Sequence, residues 1–221
     1  MTEEPNHVFI TGGTGYVGSR LIPVLQRQGC TVRALVRAGS ERKLPPGCEV
    51  VVGNALDRTT FESAIEPYST FVQLVGVPHP SPAKAQQFYD IDLVSARASI
   101  DAAAARRVDH FVYLSVAQPA PIMQAYLWVR ALGEAMIREA GLTATIIRPW
   151  YVLGPGHWWP KALVPLYKLL EAIPATRAGA LRLGLVTIDQ MVAAIVHAAE
   201  NPPPPGQQRI VDVAAIRRVR L

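Results

Sequence analysis

Short apolar runs alternate along this chain with longer stretches whose apolar residues recur every three or four positions. The run His7–Thr11 is rich in β-branched and aromatic residues and ends in glycines, which predicts a strand. Gly15–Gly29 carries Val17, Leu21, Val24 and Leu25 on one face, which predicts a helix. Pro23 lies inside it and is expected to bend it or mark a late start. Strands are expected at Thr31–Val36, Glu49–Val52, Thr70–Val75, His110–Ser115 and Thr143–Arg148. Helices are expected at Thr59–Glu66, at alanine-rich Ala83–Arg107 and at Tyr126–Ala140. Strands that are continuously apolar, alternating with helices, predict an α/β fold: a doubly wound parallel sheet covered on both faces.

The pattern changes after Arg148. Pro149, Pro155, Pro160, Pro165 and Pro174 interrupt the chain, and most of the tryptophans fall here. Loops and one helix near Ala162–Ala172 are expected, forming a small substrate-side insertion over 149–187 within a single domain spanning 1–221. Ile188–Glu200 then reads as a helix with Thr187 as N-cap, and Arg209–Val213 as a last strand. Arg217, Arg218 and Arg220 read as a solvated basic tail, because no aromatic platform accompanies the charge.

Composition narrows the picture. With 221 residues, 50% hydrophobic and 18% charged, the chain can bury a core without staples. The net charge of +5 is mild and does not call for nucleic acid. Two cysteines, Cys30 and Cys48, exclude a disulfide scaffold and a four-thiolate metal site, and both read as small buried hydrophobes. No residue spacing suggests a metal. The opening Met-Thr-Glu-Glu-Pro does not resemble a signal sequence, and no run approaches the ~20 apolar residues that cross a bilayer. A cytoplasmic protein with no membrane partner is expected.

The strongest chemical signal is Thr11-Gly12-Gly13-Thr14-Gly15-Tyr16-Val17-Gly18, between the first strand and the first helix. Gly12 suits a tight turn, Gly15 a close approach to a pyrophosphate, and Gly18 close helix–sheet packing. The helix N-terminus would face the phosphates. About 20 residues further on, no acid stands where a ribose 2′-hydroxyl is normally read. Arg37 stands there instead, with Arg33, Arg42 and Lys43 nearby, and its forked donors suit a 2′-phosphate. NADP is therefore favoured, with NAD possible.

This Thr-Gly-x-x-Gly-x-x-Gly loop, the stretches Val32–Arg37 and Val51–Asp57, and Ile146–Pro149 followed by Leu153–Gly156 resemble the short-chain dehydrogenase/reductase superfamily, in its extended and atypical branches. The resemblance implies a Rossmann fold. It implies cofactor contacts from Gly12, Thr14, Gly15, Tyr16, Val17, Gly18, Arg37, Asn54, Ala55, Gly76, Arg130, Pro149 and Val152. Asn54 stands where related proteins usually carry Asp, and either bonds the adenine or serves as a turn residue. Gly76 either lets the backbone pass the ribose or is a plain loop glycine.

The same resemblance implies a reaction centre. A strand-end serine would orient the substrate oxygen, and a helical Tyr-x-x-x-Lys would supply a proton and hold the ribose. Here these are Ser115, Tyr126 and Arg130. Arginine keeps the charge but does not readily give up a proton. Tyr126 is thus either the working acid/base or an ordinary helix tyrosine paired with Arg130, and Ser115 either orients substrate or bonds backbone. Trp150, Tyr151, Trp158 and Trp159 either line an apolar pocket or close the core, and His157 and His79 read as loop histidines. The resulting expectation is an oxidoreductase acting on a small carbonyl or quinone-like molecule, as a monomer or homodimer. A non-catalytic NADP-binding sensor or assembly module is the second reading, and a nucleotide-sugar epimerase or dehydratase a third.

Overall fold

The computed structural model describes residues 6–156, 165, 167, 169 and 172–220. Strands β1 (His7–Thr11), β2 (Thr31–Val36), β3 (Glu49–Val52), β4 (Thr70–Gln73), β5 (His110–Leu114), β6 (Ala144–Ile147) and β9 (Gln208–Val211) form one parallel sheet in the order β3-β2-β1-β4-β5-β6-β9. A second, two-stranded sheet pairs β7 (Tyr151–Leu153) with β8 (Leu185–Thr187), also in parallel. Helices are α1 (Gly18–Arg27), α2 (Ala85–Gln87), α3 (Val94–Ala105), α4 (Gln124–Glu139), α5 (Pro174–Arg182), α6 (Ile188–Glu200) and α7 (Val213–Arg218). The fold is thus the Rossmann-like, doubly wound α/β architecture that the alternating pattern predicts.

Alternation along β1 builds both cores. Val8 and Ile10 face α1 and α6, meeting Leu21, Leu25, Met191 and Ile195. Phe9 faces the other way, toward α3 and the end of α4, represented by Ala96, Ala103 and Ile137. On that side Phe9, Phe71 and Phe111 stand in register on β1, β4 and β5. Their rings follow one another with centroids 5.2 Å apart at each step. Such cross-strand aromatic pairs add to the burial of the rings themselves. The small residues of α3 let it sit close to this ladder.

Several expectations are corrected. Thr59–Glu66 is not a helix but two 3₁₀ turns, Arg58–Thr60 and Glu62–Ala64. The long alanine-rich helix is interrupted by a π-helical segment, Phe88–Leu93. The basic end is not wholly a solvated tail: Val213–Arg218 is helical, with Val213 and Ile216 buried. Helix α5 and the β7–β8 pair carried no sequence expectation. Most of the helix expected at Ala162–Ala172 lies outside the described residues. Thr187 does cap α6, in a capping box with Gln190.

His110 opens β5 at the edge of the sheet opposite the glycine loop. It is 1% exposed, and its Nε2 lies 2.9 Å from Thr145 Oγ1. Burial, then the nearby Arg209 charge, push its pKa down from 6.5 to about 4. The ring is therefore neutral when folded and protonates more readily when unfolded. Stability from this group is complete above pH 6.5 and is lost as the pH falls from 6.5 toward 4. The expected loss is about 3 kcal/mol. Urea midpoints measured across that range should fall more steeply for the wild type than for His110→Asn.

Candidate active site

Strand order reverses between β1 and β4: the chain runs from β1 outward through β2 and β3, then returns to β4 on the other side. The strand ends diverge at such a switch point and leave a crevice. A groove of about 500 Å³ lies there. Gly12, Thr14 and Gly15 form its floor. Arg37, Ser40 and Lys43 follow β2, Asn54 and Ala55 follow β3, and Leu74–Pro78 follow β4.

The glycine loop has no room for a side chain at Gly12 or Gly18. Gly12 has φ +77°, and a Cβ there would lie 2.9 Å from the Leu74 carbonyl carbon. A Cβ on Gly18 would lie 2.5 Å from the Gly12 oxygen and 2.6 Å from the Gly13 Cα. Loop and helix thus touch backbone to backbone. Helix α1 starts without a side-chain cap and without an acid in its first turn. Its positive end is left to an anion.

The groove's charge points the same way. Among the described residues that line the groove there is no Asp or Glu, while Arg37 and Lys43 are there. Arg37 is exposed and makes no ion pair among the described residues. Arg33 is not available to the groove, because it binds Glu49 at 2.8 Å and Glu66 at 3.0 Å. Asn54 serves as a turn residue at the rim of the groove. Its Oδ1 accepts the Leu56 amide at 3.0 Å and closes the turn, while the residue still lines the groove. A cradle of backbone amides, with a cationic wall that holds no carboxylate among the described residues, fits a dinucleotide. The residues that would hold it are the glycine loop at the diphosphate, Arg37 with Ser40 and Lys43 at the adenosine ribose, and Asn54 with Ala55 at the adenine.

Other residues expected to contact the cofactor lie off these walls. Tyr16 packs toward Gly154 and lies under the Arg20 guanidinium, 4.2 Å from its ring centre. Val17 precedes α1 and packs on the core, as does Val152 in β7. The Pro149 carbonyl accepts the Ala117 amide at 2.8 Å.

The candidate reaction centre lies beyond β5. Tyr126 is half-buried near the start of α4, with its ring 5.0 Å from that of Phe88. Its hydroxyl has no hydrogen-bond partner among the described residues. One turn on, the Arg130 guanidinium lies 5.2 Å from the centre of the Tyr126 ring. Arg130 is 4% exposed and turned inward: Nη2 donates to Asp92 at 2.5 Å and Nη1 to the Leu114 carbonyl at 2.8 Å. Burial works to lower its pKa, but Tyr126, Tyr113 and Asp92 outweigh this and raise it, so the charge is permanent.

Ser115 directly follows β5 and is 2% exposed. Its hydroxyl donates to Glu134 Oε1 at 2.5 Å. Glu134 also accepts from Gln118 at 3.0 Å and from Arg148, whose Nε lies at 2.9 Å and whose Nη2 takes the other oxygen. Tyr126, Arg130 and Glu134 stand four residues apart on α4 and so share one of its faces, but Arg130 and Glu134 serve separate buried clusters. Sequence reasoning missed Asp92, Arg148 and Gln118. A signal existed for Asp92, an acid within the apolar run Ile91–Val94. Glu134→Gln keeps the shape and removes the charge opposite Arg148. It is expected to cost about 2 kcal/mol, or roughly 4–8 °C in Tm by thermal unfolding.

Trp150 packs against both the main core and a smaller cluster of Val116, Ala120 and Leu127, next to Tyr126. Its ring meets Tyr151 edge-on at 5.7 Å. His79 sits in a loop with φ +50°. His157, Trp158 and Trp159 lie outside the described residues. Cys30 and Cys48 are free thiols, and burial raises both, Cys48 to about 11. Among the described residues no helix is long and apolar enough to cross a membrane.

Several known proteins are similar to this chain. The chain is 25% identical over 203 residues to the ceramide reductase of Caulobacter vibrioides, covering 91% of this chain and 63% of that protein. It is 24% identical over 191 residues to the 4-hydroxy-2-methyl-3-oxo-4-farnesyl-3,4-dihydroquinoline-1-oxide ketoreductase of Stigmatella aurantiaca, covering 76% of this chain and 55% of that one. The chain thus spans less than two thirds of either curated relative. Among solved structures, the Bordetella bronchiseptica enzyme WbmH in complex with NAD+ superimposes with a TM-score of 0.68 at 20% identity. The match covers 90% of this chain and 73% of that one. The NAD(P)H-binding family matches residues 12–155, from the first glycine of the loop to the turn after β7. The chain belongs to this NAD(P)H-binding family.

Proposed function

We propose that this protein is an NADP(H)-dependent oxidoreductase acting on a small carbonyl or quinone-like substrate. The observation that carries the cofactor choice is Arg37, a guanidinium without an ion pair among the described residues, on a groove wall that holds Lys43 and no carboxylate. A 2′-phosphate would give it a bidentate partner. When bound, the cofactor supplies or accepts hydride. Tyr126 gives a proton to the substrate oxygen, or takes one from it. Arg130 fixes a positive charge against the Tyr126 ring. Ser115 fixes the oxygen's position. With its own proton on Glu134, it offers lone pairs, which suit the hydroxyl form of the substrate.

Equilibrium binding of NADPH and NADH tests the cofactor reading. Wild type is expected to prefer NADPH. Arg37→Ala should raise the NADPH Kd by about 10- to 100-fold, roughly 1.4–2.8 kcal/mol, and leave NADH within about twofold. An NADH preference, or unchanged NADPH binding in the variant, rejects it. NADPH oxidation against a panel of quinones and aldehydes then tests turnover. Binding without turnover on any of them favours the second reading, a cofactor-binding sensor or assembly module. The observation on that side is the inward commitment of Arg130 to Asp92 and Leu114.

A further inference from the structure

The segment Leu74–Val77 leaves β4 without regular structure, yet it forms the wall of the groove that faces the glycine loop. Its shape depends on what stands behind it. Two fully buried side chains do so. Gln73 Oε1 accepts the Val75 amide at 2.5 Å, and Asp92 Oδ2 accepts the Val77 amide at 2.9 Å. The second carboxylate oxygen of Asp92 accepts Arg130 Nη2 at 2.5 Å. A side chain on Gly76 would collide with that guanidinium. Arg130 therefore lies directly behind the wall, between it and the end of β5.

Asp92 sits on the π-helical segment Phe88–Leu93. Such segments bring a side chain out of its regular helical register. A pair of apolar side chains could fill this space with less desolvation than an ion pair. What the carboxylate adds is direction: two oxygens meet two donors on different elements. The same hydrogen-bond path reaches the glycine loop. Thr11 Oγ1 donates to Gln73 Oε1 at 3.1 Å, Gln73 Nε2 donates to Ser95 Oγ at 3.2 Å, and Ser95 Oγ donates to the Asp92 carbonyl at 3.1 Å.

We propose that Asp92 is a positioning residue of the cofactor groove, setting the Gly76–Val77 wall with one oxygen and locking Arg130 behind it with the other. The wall is thereby tied to the helix that carries Tyr126. This rests on the groove's being the nicotinamide dinucleotide site. The positive charge that the family resemblance assigns to the ribose here serves the wall instead.

The test uses the full chain as Asp92→Asn, Arg130→Met and the double variant. Asparagine keeps the size and one acceptor for Val77 but leaves Arg130 unpaired. NADPH Kd is read by fluorescence, and amide hydrogen exchange at Gly76 and Val77 is read against the amides of β1 and β4. Asp92→Asn is expected to weaken NADPH binding about tenfold and to speed exchange at Gly76–Val77 at least tenfold, with β1 and β4 unchanged. The double variant removes both charges and should recover more than half of the binding loss, on a logarithmic scale. Should the single variant fail to fold, the double variant carries the test: its binding should fall within a few-fold of wild type, and its Gly76–Val77 exchange should be faster than wild type. Unchanged NADPH binding in Asp92→Asn overturns the proposal. So does exchange that rises uniformly across the sheet, or a double variant that binds as weakly as the single one. A wild type that binds no nicotinamide dinucleotide would sink the reading of the groove. Exchange at Val77 in Asp92→Asn would then still decide whether Asp92 holds the wall.

Discussion

Replacing Tyr126 with phenylalanine is expected to lower kcat for NADPH-dependent reduction by about 10²- to 10⁴-fold, the range that general acid–base catalysis supplies. The variant isolates one atom. The phenylalanine ring keeps its contact with Phe88, whose centroid lies 5.0 Å away, and stays beside the Arg130 guanidinium at 5.2 Å. The lost hydroxyl has no hydrogen-bond partner among the described residues, so no bond that holds the fold is broken. Stability should change by no more than about 0.5 kcal/mol. NADPH affinity should stay within about twofold, because Tyr126 does not line the groove. The signature is therefore a fall in kcat and kcat/KM together, with cofactor Kd and Tm unmoved. Full turnover by Tyr126→Phe on a substrate that wild type reduces would remove Tyr126 from the chemistry.

The parallel sheet was legible because its central strands are largely apolar and buried on both faces. His7–Thr11 and His110–Ser115 can be read as strands without any partner in view, and the glycine loop between β1 and α1 marks where a ligand is expected at the sheet. What misled lies in local bonds and long-range pairs. In Thr59–Glu66, Phe61 and Ile65 stand four apart and both are buried, which imitates a helix. The backbone is set instead by Asp57, which caps the turn at Thr59, and by Thr60, whose hydroxyl bonds back to the Asn54 and Asp57 carbonyls. The π-helical segment leaves no trace in an alanine-rich pattern, since small residues pack in almost any register. At the basic end, Arg217 and Arg218 drew attention from Val213 and Ile216, three apart and buried. At the site, the residue types and the shared face of Tyr126, Arg130 and Glu134 were readable. The direction of Arg130 was not. It is fixed by Asp92, 38 residues away, and by the absence of a side chain on Gly76.

Gly18→Ala gives the sharpest test of the glycine cradle, because intrinsic preference and packing pull in opposite directions. Gly18 is the first residue of α1, where alanine favours the helix by up to about 1 kcal/mol. Were the loop loosely placed, the variant would be more stable than wild type. The new Cβ would instead lie 2.5 Å from the Gly12 oxygen and 2.6 Å from the Gly13 Cα. Both are backbone atoms, so no side chain can swing aside. The loop must lift from the helix, or the helix must start later. Overpacking of this kind costs about 1–3 kcal/mol, and a loss of about 2–12 °C in Tm is expected. Binding should suffer more than stability. The diphosphate is to be held by loop amides and the helix end at once, and lifting one from the other separates the two halves of its seat. NADPH and NADH affinities should therefore both fall at least about 100-fold, or about 2.7 kcal/mol, in contrast to Arg37→Ala, which spares NADH. A Gly18→Ala protein that melts higher and binds both cofactors normally would mean that the close contact between loop and helix is not what shapes the site.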